Sequence, residues 1–206
     1  MGILEVVSLF LVMLILALVP SSSVALVVTR SVTRGVTNGV SVSLGIILGD
    51  LIFILLAILG LSLVAETMGW LFLTIKYIGA IYLIWLGYTL LITKSTKIIT
   101  VKKTNKKGSL VESFLAGLFL TLGDIKAIFF YVSLFPIYVN PGALHLIDVL
   151  IIMIVTIITV GGVKIFYAIT ANKVVSMLKR YNFESKVKKM AGGFMVGAGG
   201  YLIIKS

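Results

Sequence analysis

A chain of 206 residues that is 60% hydrophobic and 12% charged, with mean hydropathy +1.19, carries more apolar surface than a water-soluble fold can hide, so lipid is its expected solvent. It is long enough for six spans of about 20 residues with short connections, and no soluble domain fits beside them. The absence of cysteine excludes disulfides, thiolate metal sites and thiol relays, and the net charge of +11 is gathered in short segments between apolar runs, which points to juxtamembrane loops and not to nucleic acid.

The apolar runs predict six helices, roughly Ile3 to Val28, Gly39 to Val64, Trp70 to Ile92, Glu112 to Tyr138, His145 to Ala171 and Ala191 to Ile204. The expected fold class is an all-α polytopic membrane protein of six transmembrane helices. The first run lacks a basic leader and contains Glu5, so it reads as a first helix and not as a cleaved signal peptide. Within it, Pro20 precedes Ser21, Ser22 and Ser23. Proline removes a backbone donor, which leaves carbonyls near Leu16 and Ala17 short of partners that the serine hydroxyls could replace. A kink or break is expected there.

The second run is entered through Gly35 and Gly39 and continues through Gly45 and Gly49 to Asp50. Glycines four apart share a stripe that would draw this helix tightly onto the broken one. Packing explains the glycines but not the aspartate, which lies roughly 18 Å into the helix at about 1.5 Å per residue, near the midplane. The fourth run holds Asp124 and Lys126 at similar depth. Two residues apart, they point about 200° from one another in a regular helix, so either the helix is interrupted at Gly123-Asp124 or they face different partners. Unpaired charge in hydrocarbon is costly, and these three residues are read as functional. Lys76 and Lys164, nearer helix ends, are read as snorkelling to the headgroups.

Basic residues set the topology. Arg30 and Arg34 follow the first run; Lys94, Lys97, Lys102, Lys103, Lys106 and Lys107 follow the third; Lys173, Lys179, Arg180, Lys186, Lys188 and Lys189 follow the fifth. The connections after the second and fourth runs contain no Lys or Arg, and only Glu66, His145 and Asp148 as charged or titratable groups. Odd-numbered connections therefore lie in the cytoplasm, against anionic lipid headgroups, and both termini lie outside. The last run is short for a span, and five helices are the alternative. Residues 1–206 read as one transmembrane transporter domain: a first repeat over about 1–92, a basic cytoplasmic linker 93–110, and a second repeat over about 111–206. Three spans per half make the halves inverted, and Gly79, Gly87 and Tyr88 align at constant offset with Gly192, Gly200 and Tyr201. Paired interruptions in the first helix of each half point to a transporter site at the midplane.

The glycine series from Gly35 to Asp50, the segment Lys76 to Gly87 with its Gly-Ala-Ile-Tyr-Leu core, and Lys126-Ala127 followed by an aromatic run to Pro136 resemble the lysine exporter family, also called the homoserine/threonine exporter family. The resemblance covers essentially the whole chain. Two positions depart from it: Pro20-Ser21-Ser22 stands where the family has Pro-Gly-Pro, and Asp124-Ile125-Lys126 where it has Asn-Pro-Lys. The resemblance implies a prokaryotic plasma-membrane exporter of amino acids or related small polar metabolites, coupled to proton entry. It places the helix 1 and helix 4 positions, Pro20, Ser21, Ser22, Asp124 and Lys126, on the permeation pathway, beside Asp50 as read from its depth, with no enzymatic activity and no cofactor. Homo-oligomerisation stays open. Two alternatives are cation or metal efflux, for which two buried acids and a single histidine are a sparse ligand set, and an intramembrane aspartyl protease built on Asp50 and Asp124.

Overall fold

In hydrocarbon a backbone amide has no water to bond, so an apolar run satisfies itself as helix. The computed structural model describes residues 2–67, 69–92, 109–138 and 146–173, with 189, 192, 193, 195–197 and 200 beyond them. Among the described residues there is helix and no strand. The elements are α1 (Ile3–Leu18), α2 (Ser22–Arg34), α3 (Val36–Thr67), α4 (Gly69–Ile92), α5 (Leu110–Leu122), α6 (Ile125–Tyr138), α7 (Leu146–Thr156) and α8 (Gly162–Ile169), with a π-helical turn, Ile157–Gly161, joining the last two.

Two described helices are long and apolar enough to cross a membrane unbroken, Val36–Gly60 and Leu146–Ile169. Two bent pairs, α1 with α2 and α5 with α6, bring the number to four if each pair is one span. The outer surface suits a bilayer: large side chains such as Ile81 (62% exposed) and Phe119 (65%) face outward. The sixth predicted segment, Ala191 to Ile204, falls largely outside the described residues.

The predicted break in the first span is present, and it is a 58° bend. Pro20 cannot donate to Leu16, so the Val19 N–H turns back to the Leu16 carbonyl at 3.1 Å and closes α1. Ser21 is extended (φ −114°, ψ 177°) and opens α2 as its N-cap. The expected serine repair does not occur: Ser21 and Ser23 bond one another through their hydroxyls at 2.8 Å. The Leu18 carbonyl at the end of α1 accepts instead from the Tyr167 hydroxyl of α8 at 3.0 Å.

The fourth predicted run is also broken, bending by 61° although no proline stands there. Gly123 ends α5, its N–H bonded to the Phe119 carbonyl at 2.9 Å, and the Asp124 carbonyl starts α6 by accepting from Ala127 at 2.9 Å. Glycine and aspartate are poor helix-interior residues, and aspartate favours the position just before a helix.

The glycine stripe is divided between two neighbours. A Cβ on Gly39 would meet Ser31 of α2, as expected for contact with the broken first span, but Gly45 and Gly49 face the other broken span. A Cβ on Gly45 would lie 2.0 Å from the Phe114 carbonyl oxygen, and one on Gly117 2.2 Å from that of Val42. Here α3 and α5 touch backbone to backbone. Gly35 is not part of the stripe: at φ 97° it forms the corner between α2 and α3, a conformation that favours glycine.

Arg30 and Arg34, read as loop residues, are the last turns of α2. Their guanidinium groups bond the two oxygens of Glu112 at 3.0 and 2.8 Å, which puts the end of the first span and the start of α5 at one end of the molecule. Beside them, Ser113 Oγ donates to Asn38 Oδ1 at 2.8 Å. Asp148, assigned to an outer connection, is buried in the first turn of α7.

Candidate functional site

The two breaks open onto one cavity of about 620 Å³, within the ~300–1,000 Å³ range of small-molecule sites. Of the residues picked out by their chemistry, Pro20, Ser21, Ser22, Asp50 and Asp124 all line it. They come from different elements. Pro20 and Ser21 form the first break, Ser22 opens α2, Asp50 lies in α3, and Asp124 forms the second break. The backbone of Lys126 lies in the first turn of α6, beyond the break that separates it from α5; the side chains of Lys126 and Lys76 lie outside the described residues.

Gly45 and Gly49 let α3 lie close against α5, and Asp50 follows directly on Gly49, so the same contact that needs glycine carries the carboxylate to the cavity wall. Asp50 is only 7% exposed. The Tyr131 phenol of α6 hydrogen-bonds it, and the Lys164 ammonium lies within electrostatic range. Asp124 is half-buried across the cavity, where it acts electrostatically on Asp50 and on Tyr82 of α4.

Lys164 corrects the snorkelling assignment. It is 4% exposed, lines the cavity and donates to Ser23 Oγ at 2.8 Å. The cause lies one turn earlier, in the π-helical turn Ile157–Gly161. A wider turn holds an extra residue and re-aims the helix that follows. Its altered bonding is accommodated by threonine: Thr156 Oγ1 donates to the Ile152 carbonyl at 2.9 Å and Thr159 Oγ1 to that of Val155 at 2.7 Å. In the sequence the signal was a threonine pair followed by Gly161-Gly162 just before a lysine; distance to the helix end, which suggested snorkelling, does not reveal which way the side chain faces.

Ser21, Ser22 and Ser23 line part of the cavity; much of the rest of its wall is apolar, with Met13, Ile46, Phe130 and Val160 among its residues. Charged groups on such walls bind a charged solute more strongly than they would in water. Broken helices around a cavity that sets charged side chains in apolar walls, built from spans of a membrane protein, are the architecture of a solute transporter. The chain belongs to the LysE type translocator family, whose sequence model matches residues 14–206. Members of that family are transporters and not enzymes, so the two-aspartate protease alternative falls.

Relatives agree with this assignment. An uncharacterized membrane protein of Synechocystis sp. is 41% identical over 206 residues, covering 100% of this chain and 98% of its own length. The membrane protein YrhP of Bacillus subtilis is 29% identical over 153 residues, 70% of this chain and 72% of its own. The threonine efflux protein of Escherichia coli is 34% identical over 87 residues, 41% of this chain and 42% of its own. No solved structure matches the chain.

Proposed function

We propose that the chain is a secondary exporter of a small zwitterionic amino acid or a close chemical relative, driven by proton entry. The observation that carries this reading is the meeting of Pro20, Ser21, Ser22, Asp50 and Asp124 around one cavity between two helix breaks. The α2 N-terminus beside Ser21 and Ser22 offers backbone N–H groups and positive dipole charge to a carboxylate, and Lys126 is assigned to the same task. Asp50 or Asp124 takes the ammonium group or carries the coupling proton. The threonine efflux proteins among the relatives make L-threonine the first cargo to try.

In this reading six spans form two inverted sets of three, with the basic linker 93–110 against cytoplasmic headgroups and both termini outside. Bends of 58° and 61°, one in the first span of each half, support it. The test is efflux of labelled amino acids from proteoliposomes under an imposed proton gradient. Flux of L-threonine or another amino acid that collapses with the gradient is expected. No gradient-dependent flux across the amino-acid panel would sink the reading.

A further inference from the structure

Lys164 and Asp50 reach the same cavity from opposite halves of the chain, one on α8 and one on α3. Both are nearly sealed from the outside. A charge pair that served only to staple helices would be best placed in packed core, where attraction is strongest and nothing competes for it. Here both groups line a space large enough for a solute. Neither depends on the other for its hydrogen bond: Lys164 donates to Ser23 Oγ at 2.8 Å, and Asp50 is bonded by Tyr131. Each charge is thus held by a neutral hydroxyl partner and aimed into a common space.

We infer that Asp50 and Lys164 form a split pair that a zwitterion bridges, the cargo's ammonium on Asp50 and its carboxylate on Lys164. This rests on the exporter reading and sharpens it, assigning the carboxylate to a residue that sequence reasoning had set aside. An α-amino acid presents its two charges one carbon apart and satisfies both groups together. An amine alone leaves Lys164 without a counter-charge, and a carboxylate alone does the same to Asp50; an unpaired charge in an apolar cavity is unfavourable, so the site rejects both. Two polar ties then join α8 to the broken first span, Lys164 to Ser23 at the start of α2 and Tyr167 to Leu18 at the end of α1. Cargo bound to Lys164 therefore acts directly on the joint between the two limbs.

The test uses the purified full chain in detergent and reads ligand-induced thermal stabilisation with three probes: L-threonine, its methyl ester, which keeps only the ammonium, and 3-hydroxybutyrate, which keeps only the carboxylate. Wild type is expected to respond to L-threonine alone. Lys164→Met should weaken that response by about tenfold or more, as for loss of a charge-assisted contact, and gain a response to the ester. Asp50→Asn should gain a response to 3-hydroxybutyrate, and this second arm stands even if the lysine variant does not fold. Lys164→Arg should keep the preference for the zwitterion. An undiminished response of Lys164→Met to L-threonine, or failure of both variants to gain their singly charged probe, overturns the assignment. The exporter reading is judged separately, by gradient-dependent flux in wild type.

Discussion

At the scale of single residues, the contact between α3 and α5 is where one atom matters most. A methyl group on Gly45 would sit 2.0 Å from the Phe114 carbonyl oxygen, and backbone on both sides leaves little room to yield. Gly45→Ala should therefore cost about 1–3 kcal/mol or more, the usual range for overpacking, read as a fall in thermal midpoint. Gly60→Ala, in the same helix with nothing among the described residues within 4 Å of its Cβ, should leave the midpoint unchanged or higher. Tyr167→Phe is a finer probe: it deletes only the hydroxyl that holds the Leu18 carbonyl, with an expected loss of about 0.5–1.5 kcal/mol. At this scale the sequence was partly legible. A midplane carboxylate announces itself, because charge in hydrocarbon needs a reason; Asp50 and Asp124 were found that way. The place of Lys164 on the cavity wall was missed because its depth was measured along the helix, while its facing depends on rotation about the helix axis.

The elements show where pattern succeeds and where it stops. Proline states its effect in the sequence, since a missing N–H cannot be restored, and the first break fell where Pro20 said it would. The second needed no proline. Gly123-Asp124 interrupts the helix by offering a flexible position followed by a good N-cap, a weaker signal that the charge at Asp124 helped to reveal. Which neighbours receive which glycines was not legible, because a stripe fixes a face and not a partner. At the junction of α2, α3 and α5 two kinds of bond can be told apart. Glu112 is exposed and bridges two arginines that water also solvates, so Glu112→Gln should move the thermal midpoint little. Ser113 is fully buried and bonds Asn38, so Ser113→Ala, which strands a buried amide oxygen, should lower stability by about 1–3 kcal/mol.

For the whole molecule, the sequence made the solvent plain: composition alone called for lipid, and the outward-facing Ile81 and Phe119 bear this out. Orientation belongs to the same scale. Single cysteines in the naturally cysteine-free chain offer a background without labelling, and a membrane-impermeant thiol reagent should reach a cysteine at Lys103 only after the cells are opened. Labelling of that position in intact cells would reverse the proposed topology. The bonds from Arg30 and Arg34 to Glu112 add a constraint that charge counting alone does not supply, because they fix those two chain segments at one end without reference to either side of the membrane.

The π-helical turn between α7 and α8 gives the site a reserve against a kind of change that no substitution reproduces. A π-helical turn holds one residue more than a regular helical turn, and an α-helix advances about 100° per residue, so removing a single residue from Ile157–Gly161 would regularise the turn with little net rotation of α8, whereas removing a second would swing α8 by roughly that angle and carry Lys164 off the cavity wall. The span would remain as apolar and nearly as long, and the chain would still insert. Genetically, then, this stretch acts as a phase reserve: an in-frame loss of one codon should leave Lys164 facing Asp50, whereas loss of two should leave a membrane protein whose Lys164 no longer does.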